Sequence, residues 1–127
     1  MTTIIFDFDS TLLNCESLEE LLKGSLNESD SKLDKLYTLT NQGMNGEISF
    51  EESLQKRLAL AQPNKSALEA FIQKGDLYWT SGMKELLTSL SKKYAVWILT
   101  GGFEFLVEQM CKGIPLQGIR GVKGDWD

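Results

Sequence analysis

Two uninterrupted apolar runs, far apart in the chain, constrain its fold most. Thr3-Ile4-Ile5-Phe6 and Tyr94-Ala95-Val96-Trp97-Ile98-Leu99-Thr100 both lack the polar alternation of a half-solvated strand. Runs of this kind read as buried strands, which are typical of parallel sheets. Helical patterns separate them, so the predicted class is α/β, a parallel sheet with helices on both faces. Ile119 to Val122 can supply a third short strand. A complete doubly wound sheet takes one or two further βα units of about 30 residues each. The sheet expected from these 127 residues is therefore incomplete.

The segment between the runs reads as a helical module. Ser17-Leu18-Glu19-Glu20 has the form of a capping box, with Leu18, Leu21 and Leu22 inward. A polar linker, Leu26 to Ser31, leads to a helix carrying Leu33, Leu36, Tyr37 and Leu39, for which Gly43 fits a C-terminal cap. Ser49-Phe50-Glu51-Glu52 is another capping box. Its helix sets Phe50, Leu54, Leu58 and Ala61 on one stripe. Pro63-Asn64 restarts the chain into a helix with Leu68, Phe71 and Ile72 inward, closed by Gly75. From Ser81, the i, i+3, i+4, i+7 spacing of Met83, Leu86, Leu87 and Leu90 predicts a further helix before the second run.

Composition narrows the chemistry. A net charge of −5 argues against nucleic acid, whose affinity rests on cations that neutralise phosphates. The chain contains no histidine, which removes Ser-His-Asp triads, Cys-His pairs and the usual zinc sites. Cys15 and Cys111 are far apart and suit reduced thiols. No apolar run approaches membrane-spanning length, and only Met1-Thr2-Thr3 stands before the first strand, so no signal peptide is expected. The expected setting is soluble and cytoplasmic, with no membrane or nucleic-acid partner; the oligomeric state is left open.

What remains is carboxylates, Lys, Arg, hydroxyls and a metal. Asp7 and Asp9 follow the first strand two residues apart, on one side of an extended segment, with Phe6 and Phe8 on the other. If the chain bends after Asp7, both carboxylates crowd the strand's mouth. Such a pair needs a cation between them or a proton on one. A strand end with two solvated carboxylates is the competing reading. Arg57 falls seven residues after Phe50 and so lies on the apolar stripe. It either snorkels at the stripe's edge or turns into a pocket to grip a carboxylate or phosphate. Thr100-Gly101-Gly102-Phe103 follows the second strand. A tight Gly-Gly turn opening a helix there is a candidate phosphate cradle, although such turns are common in other roles.

These separated motifs agree with one family. Asp7-Phe8-Asp9-Ser10-Thr11, Glu16, the segment from Met44 to Arg57, and Thr100-Gly101-Gly102-Phe103 resemble the haloacid-dehalogenase (HAD) superfamily phosphatases, in their phosphoserine phosphatase subgroup. The resemblance runs from residue 3 to about residue 112. It implies a HAD-like Rossmannoid sheet with an inserted helical cap, residues 1–13 and 76–127 forming the core and 14–75 the cap. It implies that Asp7 is the nucleophile and Asp9 the acid and base, and that both hold Mg²⁺, Asp9 through its carbonyl. Thr100, Gly101 and Gly102 would bind the phosphate of a small phosphomonoester such as phosphoserine. Arg57 would take the substrate's carboxylate and Glu16 its ammonium, with Met44 and Phe50 shielding the site. The subgroup's later lysine and Gly-Asp-Gly segment would lie on strands not found here. Lys123 and Asp125 mimic them too soon in the chain and read as a polar tail. Weak catalysis, a binding remnant and a poorly folding fragment are thus further expectations.

Overall fold

The computed structural model describes residues 2–26 and 31–123. Its elements are β1 (Thr3–Asp7), α1 (Ser17–Gly24), α2 (Lys32–Met44), α3 (Phe50–Ala61), α4 (Lys65–Gln73), a 3₁₀ turn (Gly75–Leu77), α5 (Met83–Lys93), β2 (Ala95–Phe103), α6 (Glu104–Met110) and β3 (Gly118–Val122). The three strands form one parallel sheet in the order β1-β2-β3, with Thr3 opposite Ala95 and Trp97 opposite Gly118. The α/β class and the third strand are as expected. Part of the predicted linker, residues 27–30, and the tail that contains Asp125 lie outside the described residues. Among the described residues, no helix is long and apolar enough to cross a membrane.

Among the described residues, the expectation of helices on both sheet faces is corrected. Val96 and Ile98 are fully buried, whereas Ile5 and Leu99, on the opposite face, are 59% and 46% exposed. The strand order explains this. Both parallel crossovers, β1 to β2 through α5 and β2 to β3 through α6, step across the sheet in one direction. Crossovers of a single hand then place their helices on one face.

The helices α1 to α4 leave and rejoin the sheet region through a narrow neck. Leu13 bridges Trp79 antiparallel. The Asn14 N–H donates to the Tyr78 carbonyl at 2.7 Å, and the Thr80 N–H to the Leu12 carbonyl at 2.8 Å. Trp79 meets Phe8 edge-on, with ring centroids 6.0 Å apart. One apolar core runs through the neck from Val96, Ile98 and Val107 to Leu12, Leu13, Leu21, Leu36 and Leu68.

Several local expectations hold. Ser49 caps α3 by accepting the Glu52 N–H, and a helix follows Pro63-Asn64, which Asn64 caps by accepting the Ala67 N–H. Leu18, Leu21 and Leu22 are buried. Others do not. Ser17 is not a cap: α1 begins with it, Glu16 stands at the cap position, and no side chain caps that end. Gly43 is inside α2, whose C-terminal cap is Asn45. A side chain at Gly43 would stand 2.8 Å from both Cβ and Oγ of Ser53, so glycine lets α2 and α3 approach closely. The buried stripe of α3 is Ser53, Arg57 and Ala61, and Phe50 is 58% exposed. Leu86, expected inward on α5, is also exposed.

Candidate active site

The site begins where β1 ends. Phe8 is fully buried, and its carbonyl accepts the N–H groups of Thr11, Leu12 and Leu13 at 3.4, 3.0 and 3.0 Å. The chain therefore folds back at once. Ser10 takes a left-handed conformation, φ 55°, which its N–H bond to the Cys15 carbonyl at 3.0 Å helps hold. This loop carries Asp7 and Asp9 to the C-terminal end of the sheet, the usual place for ligands in open α/β folds. Asp7 Oδ1 accepts the Phe8 N–H at 2.8 Å, and Asp9 Oδ1 accepts the Ser17 N–H at 2.7 Å.

The second bond marks the start of α1: the helix's first N–H goes to Asp9, so its N-terminus faces a carboxylate. Burial holds the Asp9 carboxyl above the usual range. The Ser17 hydrogen bonds pull it down, while the charges of Glu16 and Asp7 add to the rise.

Asp7, Asp9, Glu16, Met44, Phe50, Arg57, Gly101 and Gly102, all predicted site residues, line one cleft of about 340 Å³. The Ser10 hydroxyl donates to Glu16 Oε1 at 2.8 Å and steadies it over the loop. Met44 is 80% exposed and stands with Phe50 at the rim. Phe50 reaches across the mouth, its Cζ 4.0 Å from where a side chain on Gly101 would begin.

Gly101 and Gly102 do not make the expected tight turn. They continue β2 to Phe103, and α6 starts at Glu104. The pairing with β3 slips between Leu99 and Phe103, a bulge that widens the backbone there. A side chain at Gly102 would press on Ser17 Oγ at 3.1 Å and touch Asp9 Oδ2 at 3.5 Å, so glycine keeps this backbone's approach to the carboxylate uncrowded. Thr100 does not line the cleft. Its hydroxyl accepts the Gly102 N–H at 3.0 Å and so occupies one amide expected to face the phosphate.

Arg57 is buried, 6% exposed, and so does not snorkel. Its Nε donates to the Ser53 carbonyl at 3.3 Å. Its Nη1 lies 3.7 Å from Oε2 of Glu19, which accepts the Thr40 hydroxyl at 2.8 Å. Burial lowers the Arg57 pKa, and the charge of Glu19 opposes that shift. Glu19, Thr40 and Ser53 all line the cleft, and sequence reasoning missed them. Glu19 had read as half of a helix-start signature. Its partner comes from a helix 38 residues on, so no local pattern could reveal it.

Lys123 is outside the cleft. It pairs with Glu104 at 2.9 Å, and Glu104 also accepts the Gly121 N–H at 3.2 Å. Among the described residues, no group of three or more acidic or cysteine residues gathers as a metal cage. Asp7 and Asp9 remain the hard-oxygen donors, suited to a divalent cation completed by water and ligand oxygens.

Comparisons with known proteins bear on the family and the fold. Residues 4–120 match the model of the haloacid dehalogenase-like hydrolases. The chain is 32% identical over 114 residues to human phosphoserine phosphatase, covering 89% of this chain and 48% of that protein. It is 35% identical over 115 residues to phosphoserine phosphatase of Archaeoglobus fulgidus, covering 89% of this chain and 31% of that protein. A phosphoserine phosphohydrolase-like protein from Francisella tularensis superposes with a TM-score of 0.82 at 40% identity, over all of this chain and 61% of that one. A substrate-bound phosphoserine phosphatase superposes with a TM-score of 0.71 at 26% identity, over 94% of this chain and 54% of that one. The chain thus spans about half, or less, of the curated relatives it matches. A family model that spans β1 to β3 and closely superposing folds make this chain a member of the haloacid dehalogenase-like hydrolase family.

Proposed function

We propose that this chain carries the nucleophile and substrate-binding portion of a phosphomonoester hydrolase acting on O-phosphoserine or a close analogue. The observation that carries the reading is the meeting of Asp7, Asp9, Glu16 and Arg57 in one cleft with the Gly101–Gly102 backbone. Residues 14–75 act as a cap over a core formed by 1–13 and 76–127, and the neck at Leu13 and Trp79 is where the two would hinge.

In this reading the Asp7 carboxylate attacks phosphorus, forming an aspartyl-phosphate as the bond to the seryl oxygen breaks. Asp9 gives its proton to that oxygen, then takes one from the water that hydrolyses the aspartyl-phosphate and restores Asp7. Its raised pKa and its place beside Gly102 suit a proton donor. Mg²⁺, held by the Asp7 carboxylate and the Asp9 carbonyl, would neutralise charge between nucleophile and phosphate. Glu16 and Arg57 hold the ammonium and carboxylate ends, and Met44 and Phe50 narrow the mouth. Thr100 supports the cradle through its bond to Gly102.

The test is Mg²⁺-dependent release of inorganic phosphate from O-phosphoserine by this chain and by Asp7→Asn. The proposal requires release by the parent chain alone. Release no greater than that of the variant overturns catalysis.

A further inference from the structure

The cleft's charge balance carries an inference about selectivity. Asp7, Asp9, Glu16 and Glu19 face it, and among the described residues Arg57 is the one cation in its lining. Glu19 and Arg57 are each anchored independently. The Thr40 hydroxyl lies 2.8 Å from the Glu19 carboxylate, the nearer of its two acceptors beside the Leu36 carbonyl at 3.0 Å, and the Ser53 carbonyl accepts from the guanidinium at 3.3 Å. They stop 3.7 Å apart, near enough for strong Coulomb interaction but short of a made hydrogen bond. The guanidinium edge is thus oriented without being consumed, and its charge is already partly balanced. With Glu16 beside them, this end of the cleft holds two carboxylates and one guanidinium.

We propose that Glu19 is a specificity-determining residue that tunes this end of the cleft to zwitterionic substrates and disfavours purely anionic ones. The proposal rests on the phosphomonoesterase reading above and adds a residue to it. A substrate bearing both ammonium and carboxylate presents a neutral end. Its carboxylate meets Arg57 and is repelled by Glu19, while its ammonium is attracted by Glu16 and Glu19, so the two effects offset. Replace the ammonium by a hydroxyl and only the repulsion is left. Like charges this close in a partly buried cleft interact strongly enough to change affinity about tenfold.

The test uses three ligands that share the phosphate arm: O-phosphoserine, 3-phosphoglycerate (hydroxyl for ammonium) and O-phosphoethanolamine (no carboxylate). Dissociation constants are measured by titration calorimetry with Mg²⁺ in an Asp7→Asn background, which blocks turnover. Glu19→Gln is expected to tighten 3-phosphoglycerate about tenfold, loosen phosphoethanolamine severalfold and leave phosphoserine within about threefold. Glu19→Asp, which keeps the charge, should restore the parent order. Opposite shifts for two ligands cannot come from a loss of packing. Equal weakening of all three ligands, an unchanged order, or no binding of any ligand overturns the proposal. Asp7-dependent phosphate release is read separately. Release with an unchanged ligand order refutes the role of Glu19 alone, and a shifted order without release refutes catalysis alone.

Discussion

The contact between α2 and α3 can be tested at Gly43, where two effects oppose each other. On helix propensity alone, Gly43→Ala should stabilise α2 by about 1 kcal/mol. The new Cβ, however, would sit 2.8 Å from both Cβ and Oγ of Ser53. Ser53 Cβ is fixed to its backbone and cannot rotate away, so the helices must part by some tenths of an ångström. Overpacking of this kind costs about 1–3 kcal/mol. Movement of the Ser53 hydroxyl would also loosen its 2.7 Å bond to the Leu39 carbonyl, a loss of about 1 kcal/mol. The net expectation is destabilisation by about 1–3 kcal/mol once the helix gain is subtracted. Gly24→Ala supplies the control, because nothing lies within 4 Å of a side chain there. Urea unfolding followed by circular dichroism should show the Gly43 midpoint falling and the Gly24 midpoint holding or rising. If Gly43→Ala stabilises as much as Gly24→Ala, the close approach of α2 to α3 is wrong, and with it the position of Ser53 and Arg57 in the cleft.

Two further predictions concern the sheet. The hydrogen bond from Lys123, with the Gly121 N–H, holds the Glu104 carboxyl below its usual range. A folded-state value below the unfolded one means stabilisation that is complete above the ordinary glutamate value and lost as the pH falls through and below it. Glu104→Gln should therefore lower the urea midpoint more at about pH 7 than at about pH 3; an equal loss at both would contradict the ion pair. Ile5, 59% exposed on an edge strand, leaves an apolar edge and face open to self-association. Light scattering should show concentration-dependent association that Ile5→Lys reduces, and a parent chain monomeric at all concentrations would refute this.

How much of this could be read in advance depended on how far apart the interacting residues were. Ser49 was legible as a cap because it precedes an apolar-periodic run and bonds a residue three positions on, whereas Asn64, which does the same, had read only as a restart of the chain. Ser17 carried the same signature, yet its N–H is claimed by Asp9 and the helix begins one residue earlier than the local pattern implies. Arg57 stood out because a cation on an apolar stripe is costly without a partner, but Glu19 was hidden until α1 and α3 were brought together. Gly43 had read as a helix cap and Gly102 as part of a tight turn, and neither local explanation holds. Both serve close approaches that depend on neighbours distant in sequence. The sheet face left uncovered among the described residues followed from topology, since buried-strand patterns in β1 and β2 say nothing about which crossovers cover them.

The account turns on Asp7 as the group that receives phosphate. The most direct measurement mixes the chain with O-phosphoserine and Mg²⁺, quenches in acid on the millisecond-to-second scale, and maps the modified peptide by mass spectrometry. The account predicts a phosphoryl group on Asp7, absent when Asp7→Asn is treated in the same way. Phosphate release with no label on Asp7, or a label on another residue, would contradict it.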